Sequence, residues 1–346
     1  MSKNQTKPIN WLSASKLKTV ENCSFLYEGK YRLKLPDETN DGAILGGITH
    51  DILELLNNKP KYFKYVSKIL KSDKLPAPLI KLLKRKLTSQ KCSLDNLDKL
   101  ISFILVALAY DFWMDGGEVK KPETYFELTG KYNTRGYIDA HAIYTDEKGD
   151  KYCIIRDYKS QKNKFTNKEL DKNIQAYIYL LAAKKLYPQI KIEKSRVEFV
   201  LLQFPEDPIQ VVQNVTDETL AGIEDYLTYI QGYIDEFGEE HSTSNLAAHQ
   251  DYPKPEDGFC GKIMCGRASF KGELKKDGLN KLWSCAMKFP YDYFSLYEGE
   301  KLVKSAYTEA ELLPVKPNQT IKQQHFGGCP AFNKKTVNIE SEGFEF

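Results

Sequence analysis

Asp157 and Lys159 lie two residues apart in the run Ile154-Ile-Arg-Asp157-Tyr-Lys159-Ser160. Residues at that spacing on an extended strand point the same way, so a carboxylate and an ammonium leave the strand together. The strand before it, entered through Gly136, carries Asp139 on one face with Tyr137 and His141. Antiparallel pairing through the turn at Asp146 to Asp150 brings Asp139 beside Asp157, and Glu127, on a strand of its own, offers a third acid at the rim. Gln175 and Tyr179, four apart on a long helix, share a face that looks back onto the strand ends. Oxygen-rich clusters of this kind suit Mg²⁺ or Mn²⁺, hard cations held by one or two carboxylates and water. Such ions polarise a phosphodiester, acidify an attacking water and stabilise the leaving oxyanion, while a nearby lysine orients the water or neutralises developing charge. Taken alone, Asp157 and Lys159 are more simply a solvated strand-end ion pair worth about 1 kcal/mol or less. Only convergence with the other groups makes them chemical.

The elements that must position these groups follow from periodicity. Trp11 to Leu35 reads as a helix that starts near Ser13-Ala14-Ser15 and carries Cys23. Ala43 to Leu56 repeats apolar residues at a helical period and contains His50. Its Gly46-Gly47 pair costs about 1 kcal/mol each in helix propensity, which points to close approach of another segment. Residues 59–116 form a helical insertion, split at Pro76 and Pro78. Its Lys-rich faces are solvated, with Tyr62, Phe63 and Tyr65 interleaved as phosphate-contact and base-stacking residues in an alternative reading. Beyond Gly116-Gly117, Thr124 to Leu128, Tyr137 to Tyr144 and Tyr152 to Tyr158 read as three consecutive antiparallel strands. A helix over Asn167 to Leu186, strands at Arg196 to Phe204 and Ile209 to Val212, and a helix over Thr216 to Phe237 complete this part.

Read in order, Gly136-Tyr-Ile-Asp139, Ile154-Ile-Arg-Asp157-Tyr-Lys159 and Gln175-Ala-Tyr-Ile-Tyr179 resemble the motifs of the PD-(D/E)XK nucleases of the RecB-like branch, and Gly46-Gly-Ile-Thr-His50 resembles its His-bearing motif. The resemblance implies a restriction-endonuclease-like α/β fold, a mixed central sheet flanked by helices. It implies that Asp139, Asp157, His50 and the carbonyl of Tyr158 ligate the metal, that Lys159 is the catalytic lysine, and that Gln175 and Tyr179 position the metal site or the DNA strand. Glu127 belongs to the same neighbourhood. The implied function is a metal-dependent DNA nuclease, an exonuclease on ends or single strands in repair, recombination or phage DNA processing. A helicase or recombination partner goes with that setting.

Some members of this branch, the CRISPR-associated exonucleases and AddB-type helicase-nucleases, hold a [4Fe-4S] cluster. By resemblance Cys23, Cys260, Cys265 and Cys285 are its ligands, with Cys329 competing for a place and Zn²⁺ as the rival occupant. The long interval between Cys265 and Cys285 departs from the family's tight triplet. Residues 1–240 are expected to form the nuclease core, and 241–346 an irregular, Cys-containing region that packs back on the N-terminal helix.

Composition sets the frame. The 346 residues are 41% hydrophobic and 28% charged, the balance of a chain with a real core, and disorder as the main state is excluded. Fifty Lys and Arg against 47 Asp and Glu leave only +3, so any basic surface is local. The longest apolar run, Ile101 to Tyr110, is too short to span a bilayer. The polar N-terminus and the odd count of seven cysteines place the protein in a reducing cytoplasm, with no disulfide framework. No Walker P-loop is present, so unwinding by this chain is not expected. Two other classes stay open: a catalytically inactive DNA-binding or scaffold module of the same fold, and an iron-sulfur protein with a mainly structural role.

Overall fold

The computed structural model describes residues 10–36, 41–58, 62–249, 265 and 285–332. In chain order the helices are α1 (Ala14–Asn22), α2 (Ser24–Tyr27), α3 (Asp41–Asn58), α4 (Phe63–Ser72), α5 (Ala77–Ser89), α6 (Leu97–Ala109), α7 (Asn167–Asp171), α8 (Ile174–Leu186) and α9 (Asp217–Glu236). The strands are β1 (Glu118–Val119), β2 (Thr124–Leu128), β3 (Thr134–Ile138), β4 (Ala140–Thr145), β5 (Lys151–Lys159), β6 (Arg196–Leu201), β7 (Ile209–Val212), β8 (Tyr291–Glu298), β9 (Lys301–Ala306) and β10 (Gln319–Phe326). Among the described residues no helix is long and apolar enough to cross a membrane. The chain divides into two compact units, one of Met1–Ala14 with Thr39–Asp235, the other of Ser15–Glu38 with Glu236–Phe346.

The first unit is built on a five-stranded sheet in the order β1-β4-β5-β6-β7. Only β5 and β6 run parallel. A parallel pair needs a crossover of a dozen residues or more, and α7 and α8 supply it. Strand β5 is buried from Cys153 to Tyr158, as a central strand covered on both faces must be. One face packs against α3 to α6: Leu45, Ile48, Ile52, Leu83 and Phe103 share a core with Ala142, Ile154, Tyr158 and Val200. The helical insertion is therefore continuous with the sheet's own core.

Arg156 and Glu198, opposite each other across β5 and β6, form a buried ion pair with Nε 2.8 Å from Oε2. The same guanidinium donates to the carbonyls of Tyr110 and Asp111 and to the Asp111 carboxylate. That satisfies a charge which would otherwise be costly to bury, and it ties the end of α6 to the sheet.

Three expectations change. The strand read over Tyr137 to Tyr144 breaks at Asp139 into β3 and β4, which belong to different sheets. Asp139 turns out of the ladder because its carboxylate accepts the Tyr158 N–H at 2.9 Å. The helix read over Asn167 to Leu186 stops and restarts, since the Asn173 side chain caps α8 by accepting the Ala176 N–H. Strand β2 pairs only with β3 in a separate two-stranded ribbon. Across that ribbon a side chain at Gly136 would meet the Phe126 ring at 2.9 Å, so only glycine fits there.

In the second unit Cys23 interrupts the expected helix. It sits extended between α1 and α2 (φ −163°, ψ 113°), because Ser24 is held elsewhere. The Ser24 N–H donates to the Asn245 carbonyl, and its hydroxyl donates to the Ser242 carbonyl. The segment read as irregular contains a three-stranded antiparallel sheet, order β10-β8-β9. Its alternation is blurred by the many aromatics of Tyr291–Glu298, which are partly buried on both faces.

Candidate active site

Strand β5 ends in Asp157, Tyr158 and Lys159, whose side chains alternate across the sheet. Tyr158 joins the core under α3, while Asp157 and Lys159 meet α8. There Gln175 bridges them: its Oε1 accepts from Lys159 Nζ at 2.8 Å and its Nε2 donates to Asp157 Oδ1 at 2.8 Å. The Tyr179 hydroxyl donates to the same Asp157 oxygen at 2.9 Å. Burial, with Asp157 and Asp139 nearby, pushes the Tyr179 phenol well up, so it stays a neutral donor. Asp157 Oδ2 is 2.7 Å from Lys159 Nζ yet makes no aligned hydrogen bond, a buried carboxylate oxygen with coordinating capacity to spare.

His50 reaches the same strand end from α3. A side chain on Gly46 would meet Ser160 Oγ at 2.8 Å, and Ser160 Oγ donates to the Gly42 carbonyl at 3.3 Å. The suspected close approach is thus of Ser160, just past β5, and one helical turn on it sets His50 over the strand. His50 Nε2 lies 3.0 Å from the Tyr158 carbonyl oxygen, and Nδ1 lies 3.3 Å from Asp139 Oδ2 and 3.8 Å from Glu123 Oε1. One donor atom each from His50, Glu123 and Asp139 lies within 4.8 Å of the others. Burial disfavours charge on His50, but Asp139 and Glu123 outweigh it and push the imidazole up to about 11. Burial and the neighbouring Asp157 raise the Asp139 carboxyl, against His50 and the Tyr158 N–H. Acids crowded this way favour a cation among them. An imidazole with carboxylates and a backbone carbonyl is a donor set that fits Mg²⁺ or Mn²⁺, with imidazole leaning toward Mn²⁺.

The structure thus brings together His50, Asp139, Asp157, the Tyr158 carbonyl, Lys159, Gln175 and Tyr179. It does not bring Glu127, which is exposed on β2, accepts from the Tyr125 hydroxyl and is set opposite Arg135. Glu123 stands in its place. The β2–β3 register continues one step past Thr124, where the Glu123 N–H donates to the Asp139 carbonyl at 3.1 Å. The sequence offers a turn at Gly130, and it is the observed register, centred on residue 131, that pairs the acid just before Thr124 with Asp139. His141, on the other side of the sheet bend, is buried against the Tyr187 hydroxyl at 2.8 Å and is structural.

The model of the PD-(D/E)XK nuclease superfamily matches residues 11–262, most of the chain. The chain belongs to the PD-(D/E)XK nuclease superfamily. No curated protein matches it. The match embraces α3, β2 to β6 and α8, the elements that carry or directly flank every group of the site.

Within the second unit, Cys23, Cys265, Cys285 and Cys329 line one small cavity with Phe25, Met287 and Lys288. Cys329 thus joins the expected set, while Cys260 lies outside the described residues. Burial and the three neighbouring cysteines push the Cys265 thiol up to about 12. Burial likewise raises Cys329. Cys92 and Cys153 are buried in the first unit.

Proposed function

We propose that this protein is a metal-dependent deoxyribonuclease of the RecB-like branch, acting as an exonuclease on DNA ends or single strands. The observation that carries the reading is the meeting of His50, Glu123 and Asp139 beside the Asp157–Lys159–Gln175–Tyr179 network. His50, Asp139, Asp157 and the Tyr158 carbonyl would hold the ion, with Glu123 completing the acid cluster. Bound Mg²⁺ or Mn²⁺ supplies Lewis acidity toward the phosphodiester and makes water a competent nucleophile near neutral pH. Lys159, pinned between Asp157 and Gln175, presents an ammonium that orients the water or meets charge developing on phosphate. Gln175 and Tyr179 hold Asp157 in one rotamer. Repair, recombination or phage DNA processing in the cytoplasm, beside a helicase or recombination partner, is the setting this chemistry suits.

The cysteine cavity supports a [4Fe-4S] cluster on Cys23, Cys265, Cys285 and Cys329 as part of the same reading. Four thiolates suit either a cluster or one Zn²⁺, and the resemblance of the Cys23 segment to the cluster-bearing members favours the cluster. A brown anaerobic preparation, bleached by Cys23→Ala or Cys329→Ala, is the expected result, and a colourless one counts against the cluster.

Labelled single- and double-stranded DNA incubated with Mn²⁺ tests the nuclease reading. Wild-type protein should degrade it, and Asp157→Ala and Lys159→Ala should not. Activity unchanged in both variants removes this site; no cleavage by wild type favours the inactive DNA-binding module.

A further inference from the structure

The outer face of the β2–β3 ribbon carries two exposed tyrosines, of which Tyr125 donates its hydroxyl to Glu127. Tyr125 and Tyr137 are directly opposite in the ladder, 42% and 55% exposed, with ring centroids 5.1 Å apart. The inner face is already filled by Phe126, Leu128 and Ile138. The two rings are tilted by 50°, so they do not stack on one another. Each lies two residues from an acid of the metal group: Tyr125 follows Glu123, and Tyr137 precedes Asp139. Two residues of strand span about 7 Å, a distance one nucleotide bridges between its phosphate and its base. Beyond the pair the same face carries Arg135, whose guanidinium lies over the Trp11 ring, and the exposed acid Glu127 opposite it, with the Lys185 ammonium 2.8 Å from the Glu127 carbonyl.

We infer that Tyr125 and Tyr137 form a base-stacking platform that admits single-stranded DNA to the metal site and selects against strands whose bases are held in a duplex. Paired bases keep their π-faces buried in the stack, whereas unpaired bases offer them to aromatic side chains of any sequence. Arg135 and Lys185 follow the backbone past Glu127, and the rings take the bases. The inference rests on the nuclease reading for the identity of the strand, and it specifies which residues set strand preference.

The test compares two strands of equal length, oligo(dT) and an abasic deoxyribose-phosphate strand, bound to full-length protein in Mg²⁺. The background is Asp157→Asn, to suppress cleavage. With both tyrosines present, oligo(dT) should bind about tenfold or more tighter than the abasic strand. Tyr125→Ala/Tyr137→Ala should erase that preference while leaving abasic binding unchanged, and Tyr125→Phe/Tyr137→Phe should keep it. Tyr137→Leu, which keeps apolar bulk without a π-face, should lose much of it. Equal loss on both strands, or a base preference that survives the alanines, overturns the platform. Wild-type cleavage of oligo(dT), run in parallel, separates the two ideas. Base preference without cleavage sinks the nuclease reading alone, and cleavage without base preference sinks the platform alone.

Discussion

Gln175 holds Asp157 with one end of its amide and Lys159 with the other, at 2.8 Å each. A neutral amide is the one side chain of that length able to donate to a carboxylate and accept from an ammonium at once. On the proposed reading Gln175 is therefore a positioning residue. Gln175→Ala should lower kcat by about 10²-fold through misplacement of the lysine while changing KM little. Gln175→Glu, which cannot donate to Asp157, should be no better. Steady-state kinetics beside a Mn²⁺ titration checks this, and an unchanged kcat in both variants removes the role.

Glu123 and Glu127 lie four residues apart, two periods of an extended strand, yet only Glu123 stands with His50 and Asp139. Glu123→Gln should weaken Mn²⁺ binding by about tenfold or more, as loss of an acid beside a cation does. Glu127→Gln should leave it unchanged. Calorimetric titration of the two variants decides, and equal effects would mean the ion sits elsewhere.

On the proposed reading His50 couples metal to protons. Its imidazole is pushed up to about 11, because Asp139 and Glu123 outweigh the burial that opposes charge. A ligating nitrogen must be neutral, so binding an ion has to expel a proton. Metal affinity should then rise with pH over the neutral and alkaline range, by up to about tenfold per unit. Calorimetry in buffers of different ionisation enthalpy should count close to one proton released in wild type and fewer in His50→Asn.

His141 should make the fold acid-sensitive. Burial, helped by Lys120, drives its pKa from 6.5 down to about 4. Between those values the unfolded chain binds the proton and the folded chain does not. Stability is therefore full above about pH 6.5 and falls as pH drops toward 4, by about 3 kcal/mol in all. Urea midpoints at pH 7 and pH 4.5 should converge in His141→Phe relative to wild type, and an unaltered gap would place the acid sensitivity elsewhere.

The buried pair Arg156–Glu198 should reveal itself by one-sided deletion. Glu198→Ala strands the guanidinium with only Asp111 and two carbonyls, and should cost about 3–5 kcal/mol. Exchanging both residues for Met and Leu should cost far less, since no charge is then left buried without its partner. Denaturant unfolding of the single and double variants measures the difference.

Local pattern alone was enough to locate Asp139, Asp157, Lys159, Gln175 and Tyr179, because strand and helix periods are short-range and each motif lies within one element or its end. The same periods drew a continuous strand through Asp139, where the chain bends, and a continuous helix through Cys23 and Asn173, where it stops. The breaks at Asp139 and Cys23 are made by hydrogen bonds from distant segments, Tyr158 N–H to Asp139 and Ser24 to Ser242 and Asn245, whereas the one at Asn173 is a local cap on the Ala176 N–H. Periodicity cannot register a partner that is far away in the chain.

Choosing Glu123 over Glu127, Cys329 as a fourth thiol, and Glu198 as the counter-charge of Arg156 likewise needed the folded chain. Residue types and spacing determined what chemistry this protein is equipped for. Which acid, which sulfur and which counter-ion stand together was decided only by tertiary structure, since convergence in space depends on register and packing between segments that the linear order leaves free.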